Sequence, residues 1–167
     1  MSVGLFMVRV VVGLLIAAHG SQKLFGWFGG YGLAGTGGFF EGLGFRPGRL
    51  FAAAAGAAEF IGGLLAAFGL LGPVGPALIL SVMVVAAISV HWHGVFAANN
   101  GIEVPLLYSV VAVALALTGP GQYSLDALLG LTAVWTPSLS LSALALGTVG
   151  AAVNLLLRRP AHEPVTA

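Results

Sequence analysis

Five apolar stretches govern what this chain can become: Val3–Gly20, Gly48–Leu71, Val74–Trp92, Val104–Thr118 and Ser138–Leu157. Crossing the hydrocarbon of a bilayer takes roughly 20 mostly apolar residues, and within lipid every backbone N–H and C=O must be bonded inside the segment. Runs of this length predict an all-α integral membrane helix bundle, the fourth span being short. Only 7% of the 167 residues are charged and the mean hydropathy is +1.05, against roughly 25% charged in a soluble domain. No polar insert is long enough to fold alone, so the spans form one domain.

The punctuation fits this count. Gly72-Pro73 breaks the chain tightly between the second and third spans and makes them antiparallel neighbours. Pro120 closes the fourth and Pro137 precedes the fifth. Tyr123–Trp135 is too short to span, and Ser124-Leu125-Asp126 at its start has the look of a helix N-terminus, which predicts an interfacial helix. The first segment lacks the basic n-region of a secretory signal, and Arg9 interrupts what would be its apolar region, so it is expected to be a retained helix.

Lys23, Arg46 and Arg49 lie in the first connection and Arg158-Arg159 follow the last span, while the other connections carry no Lys or Arg. Five spans put both clusters on one side, which predicts an N-terminus outside and a C-terminus in the cytoplasm of the cell (inner) membrane. A net charge of +1 without a basic run excludes a nucleic-acid partner. With no cysteine, the chain has no disulfide, thiolate nucleophile or Cys-held iron–sulfur centre.

Two charges sit inside apolar spans, Arg9 in the first and Glu59 in the second. Even the mildest insertion scale charges about 2.5–3.5 kcal/mol for such a residue, so mutual compensation in an Arg9–Glu59 pair is the expectation. On a continuous helix Lys23 falls about 40° and His19 about 80° around the axis from Arg9. His91 and His93 end the third span at the Lys23 end, where Asn99, Asn100 and Glu103 open the fourth. His19, Lys23, His91, His93 and Glu103 are thus expected around one mouth, with Arg9–Glu59 as its polar floor. On a helix His91 and His93 point about 200° apart, so shared metal ligation needs an unwound end, and no metal site is expected. A haem between His19 and His91 is conceivable, but axial ligands usually lie deeper. A quinone suits the residues better: its carbonyls need a few donors and its ring and tail need aromatic and aliphatic walls. The first connection, Ser21–Phe45, with nine Gly among Phe25, Trp27, Phe28, Tyr31, Phe39 and Phe40, reads as an aromatic belt or a re-entrant lid.

Arg9, the run His19-Gly20-Ser21-Gln22-Lys23-Leu24-Phe25-Gly26, Glu59-Phe60-Ile61-Gly62-Gly63, Asn100-Gly101-Ile102-Glu103 and Gly119-Pro120-Gly121-Gln122-Tyr123-Ser124-Leu125-Asp126 occur in this order. The set resembles the DoxX family of small bacterial membrane proteins over about residues 3 to 129. The resemblance implies a mainly four-helix membrane core and carries Arg9, His19, Lys23, Glu59, Glu103 and Asp126 onto the family's recurring polar positions. It also implies association with oxidoreductase systems. The family takes its name from a membrane subunit associated with a thiosulfate:quinone oxidoreductase, and mycobacterial members are described as membrane anchors in complexes handling oxidative stress and sulfur compounds.

The expected organisation is a four-helix domain over residues 1–129, with its Gly- and aromatic-rich first loop at 21–47. An additional transmembrane helix over 130–159 and a short tail over 160–167 follow. The expected function is a membrane subunit of an oxidoreductase system that binds a quinone or similar lipid through Arg9, His19, Lys23, Glu59, His91 and Glu103. Lys23 and His19 would donate to the head group, Glu59 and His91 would relay protons, and soluble or membrane partner subunits would exchange the electrons. No flavin or nicotinamide fingerprint is present. The competing expectations are a non-catalytic anchor that recruits partners through the first loop and basic tail, and, ranked last, a permeation unit.

Overall fold

A computed structural model describes residues 2–159; Met1 and the expected tail, 160–167, lie outside them. The α-helices are α1 (Ser2–Phe25), α2 (Gly32–Gly42), α3 (Gly48–Phe68), α4 (Val74–Ser89), α5 (Glu103–Thr118), α6 (Leu125–Leu128) and α7 (Pro137–Leu156). All regular structure among the described residues is helical. Val3–Phe25, Gly48–Phe68 and Pro137–Leu156 are long and apolar enough to cross a membrane. The apolar α4 and α5 have 16 residues each, about 24 Å of helix against a hydrocarbon core of about 30 Å.

In lipid, helices gain little from hiding apolar side chains, because the surroundings are equally apolar; close backbone approach at small residues supplies the packing instead. Three of the major interfaces follow that rule. Gly13 and Gly63 bring α1 and α3 together, Gly62 and Gly75 do the same for α3 and α4, and Gly147 of α7 lies on Ala77 of α4. A methyl group at Gly13 would stand 2.6 Å from the Gly63 carbonyl oxygen, and one at Gly147 2.5 Å from that of Ala77. The resulting core is shared by all five long helices: Ile16 from α1, Ala66 from α3, Ile79 and Met83 from α4, Ala112 from α5 and Leu144 from α7. The outward faces keep large apolar side chains exposed, among them Val11, Leu15, Ile61, Leu107 and Leu146, as a lipid-facing surface requires.

The interface between α1 and α3 also fixes depth. Gly13 lies against Ala67, Ala17 against Gly63 and Gly20 against Phe60. In this antiparallel register Glu59 is level with Ser21, twelve residues along α1 from Arg9, whose side chain lies against Gly69 beyond the end of α3. Arg9 and Glu59 are therefore about 18 Å apart along the axes at 1.5 Å per residue. The expected Arg9–Glu59 pair does not form, and the two charges belong to opposite ends of the bundle.

The first connection is not a loop throughout. The first helix runs on to Phe25, a single 3-10 turn spans Trp27–Gly29, and α2 follows. Five of the eleven α2 residues are Gly, each costing about 1 kcal/mol against Ala in a helix interior, so tertiary packing must hold it. Gly37 lies on the Arg49 backbone, and a Cβ at Gly48 would meet the Gly37 carbonyl oxygen at 2.1 Å, so α2 sits against the start of α3 with no room for side chains between. At the same end the Arg158 side chain donates from Nε to the Leu43 carbonyl at 2.6 Å, and Arg159 N–H donates to Gly44 at 2.8 Å. Both basic clusters thus share one end of the bundle.

Candidate functional site

At the end opposite the basic clusters, each charged group is occupied by main chain. The Arg9 guanidinium donates to the carbonyls of Pro120 and Tyr123 and lies 5.7 Å from the Phe6 ring centroid. Gly69, at φ 62, leaves the space it needs: a Cβ there would be 2.0 Å from Nη1. Asp126 is fully buried and accepts from the N–H groups of Leu71 at 3.0 Å and Gly72 at 2.7 Å. Its own N–H donates to the Gly69 carbonyl at 3.0 Å. Ser124 caps α6 by accepting from Ala127 N–H at 3.1 Å, so a helix does start where the sequence places one. It is a single turn, bonded to the α3–α4 connection. Arg9 and Asp126 both meet Gly69, one by side-chain packing and the other through its N–H, and together they tie the α5–α7 connection to the rest of the bundle.

The other end is built differently. Lys23, in the last turn of α1, forms an ion pair with Glu59 of α3. The Glu59 side chain is only 3% exposed, whereas that of Lys23 keeps 25%. The pair stands in the wall of a cavity of about 250 Å³. Phe39 and Phe40 of α2 and Phe51 of α3 give it aromatic walls, and Ala54, Ala55 and Ala58 make room by their small size. Its remaining polar lining is Ser81 and Ser89 of α4, His91 just beyond α4, and Asn154 of α7. Lys23, Phe39 and Phe40 also border a second, more open groove of about 590 Å³ that contains His19, Gln22 and Tyr31.

The expected mouth therefore divides. Lys23, Glu59 and His91 do meet at one cavity, and Arg9 is not part of it. His19 faces the neighbouring groove, where its Nδ1 donates to Gln22 Oε1 at 3.2 Å and its ring meets Tyr108 edge to face. Gln22 Nε2 donates to the Phe28 carbonyl, which leaves its Oε1 as the acceptor. Glu103 belongs to the connection itself: its carboxylate accepts from Ala97 N–H at 2.7 Å while its N–H donates to Val95. His93 is exposed and lines neither concavity. The α4 helix ends at Ser89, earlier than its apolar run, so His91 and His93 both lie beyond it, His91 lining the cavity and His93 exposed. No group of three His, Cys, Asp or Glu side chains able to hold a metal occurs among the described residues.

Asn154 was not singled out from the sequence. It is a lone amide in an apolar span, and only the packing of α7 against α4 brings it to the cavity. The helix added beyond the expected four-helix core thus supplies a wall of the candidate site.

No curated protein and no solved structure matches the chain. The DoxX family model matches residues 4–92, which takes in Arg9, His19, Lys23, Glu59 and His91 but stops short of Glu103, Asp126 and Asn154. This match covers more than half of the 167 residues, and with the apolar helices it makes the chain a membrane protein that belongs to the DoxX family.

Proposed function

We propose that this chain is a membrane subunit of an oxidoreductase system and that it binds a quinone or similar ring-bearing lipid in the Lys23–Glu59–His91 cavity. The observation that carries this reading is an ion pair, with one partner buried, set in the wall of a cavity lined mostly by Phe, Ala and Val. Lys23 supplies a charge-assisted donor for a ring oxygen, the Phe side chains pack against the ring, and Glu59 and His91 hold or pass protons. The volume suits a ring and its first substituents; ligand pockets generally run from roughly 300 to 1,000 Å³. An isoprenoid tail would extend along the lipid-facing surface. A soluble or membrane partner exchanges the electrons. In the cell membrane, with the N-terminus outside, the cavity lies towards the cytoplasmic face, as the shared position of the basic clusters favours.

Purification from native membranes followed by lipid mass spectrometry tests this. A quinone should co-purify with the wild type and be depleted in Lys23→Met and Glu59→Gln proteins that keep their helicity. Its absence from all three proteins, in membranes rich in quinone, rejects the reading.

A second reading has its own observation. Tyr31 and Phe28, before α2, are 86% and 73% exposed, and Arg46 and Arg49, after it, are exposed too, which suits a surface that recruits soluble partners. Loss of a partner in Phe28→Ser/Tyr31→Ser protein, with Glu59→Gln tolerated, would favour this anchor role over ligand binding.

A further inference from the structure

The hydrogen-bonding sense of the cavity selects between the two forms of a quinone, an inference that rests on the proposed reading of the site. A carbonyl oxygen can only accept, so each side chain bonded to one has already committed a hydrogen. The His91 Nδ1 lies 3.0 Å from the Asn100 carbonyl oxygen and must donate to it. In the neutral imidazole, Nε2 then carries a lone pair. The Ser89 hydroxyl donates to the Val85 carbonyl four residues back, at 2.5 Å, and its oxygen retains only accepting capacity. The Asn154 amide nitrogen donates to the Gly150 carbonyl at 2.8 Å and keeps one amide hydrogen. Glu59 gives Oε2 to Lys23 and keeps Oε1.

The lining at the end of α4, His91 and Ser89, is therefore acceptor-only. Donors are confined to the spare hydrogens of Lys23 and Asn154 and to the Ser81 hydroxyl. A quinone carbonyl placed towards His91 and Ser89 would set one lone pair against another, whereas a hydroxyl would donate there. An unmet polar group in such a site costs more than a made bond gains. We infer that the cavity selects the reduced, hydroxyl-bearing form of its ring ligand, a hydroquinone, with one hydroxyl directed to His91 and Ser89 and the ring held against the Phe side chains.

The test uses the full chain in quinone-free lipid nanodiscs at pH 8 under anaerobic conditions. Three probes with the same short alkyl chain are compared: a benzohydroquinone, its benzoquinone, and the dimethyl ether of the hydroquinone, which has no hydrogen to donate. The hydroquinone should bind at least about tenfold more tightly than the quinone, a difference of about 1.4 kcal/mol, and the ether should be no better than the quinone. In Ser89→Ala and His91→Phe proteins the hydroquinone should fall to the level of the quinone, whose own affinity should hardly change. The comparison of the three probes on the wild type stands even if a variant does not fold. Measurable binding of the quinone at or above the affinity of the hydroquinone overturns this inference and leaves the quinone-site reading intact. Failure of both redox forms to bind overturns both.

Discussion

The two ends of the bundle use the same kinds of side chain for different ends. Around Arg9 and Asp126, the groups that meet the charges are main-chain carbonyls and N–H groups: Pro120 and Tyr123 on one side, Leu71 and Gly72 on the other. Around Lys23 and Glu59, one side chain neutralises another and both face a void. A charge bonded to backbone fixes the path of the chain and cannot turn to a ligand without unfolding a connection. A side-chain pair at a cavity can exchange one partner for another at small cost. This contrast separates a structural staple from the proposed binding site.

The largest effect that could break the comparison lies at Asp126. Replacing it by Ala leaves two buried N–H groups unmet and Arg9 without its acidic neighbour, which should cost about 3–5 kcal/mol. Thermal unfolding followed by circular dichroism in detergent should show a midpoint lower by roughly 10 °C, at about 2–4 °C per kcal/mol for a chain of this size. A midpoint within about 2 °C of wild type would deny the staple. Gly69→Ala strikes the same end more gently. It forces a side chain into φ 62 and against Arg9, and a loss of about 1–3 kcal/mol is expected in the same assay. Equal stability of the two proteins would mean that Arg9 does not need that space.

At the other end the ranking of stability and binding should reverse. Glu59→Gln removes the carboxylate but leaves Lys23, one quarter exposed, free to reach water, so stability should fall by no more than about 1 kcal/mol. Affinity for the ring ligand should fall by about tenfold or more, corresponding to roughly 1.4 kcal/mol. A large stability loss with unchanged affinity would make this pair a second staple. The smallest effect is expected at Glu103→Ala. One hydrogen bond to Ala97 N–H is lost at a surface connection, about 0.5–1.5 kcal/mol, and ligand affinity measured by titration should be unaltered. A loss of affinity there would bring Glu103 back to the site.

Much of this arrangement was legible in the sequence. Hydropathy located the five long helices, Ser124 marked the start of α6, and the placement of Lys and Arg put the first connection and the end of α7 together. Offset between helices is different, because length and polarity say nothing about how far one helix slides along another. The missing signal was present as small residues: Gly13, Ala17 and Gly20 on one face of α1, and Gly56, Gly63 and Ala67 on one face of α3. Matching those stripes sets Glu59 beside the end of α1 and away from Arg9. The glycine content of α2 argues against a helix on propensity alone, and only its fit against Gly48 and Arg49 overrides that. Asn154 could not be found from its neighbours in sequence, since its role depends on which helix α7 packs against. Glu103 and Asp126 carry the polar character of site residues, yet Glu103 spends its carboxylate on the connection it follows and Asp126 spends its own on the α3–α4 connection.

Photolabelling measures the distinction between the ends most directly. A quinone carrying a photoreactive group on its ring, bound to the full chain in nanodiscs and mapped by mass spectrometry, should label Phe39–Phe40, the Phe51–Glu59 stretch and the end of α4 from Ser81 to His91. Excess unlabelled hydroquinone should suppress that labelling. Labelling concentrated instead at Phe6, Phe68 or Tyr123–Leu128, beside Arg9, would contradict the assignment of binding to the Lys23 end.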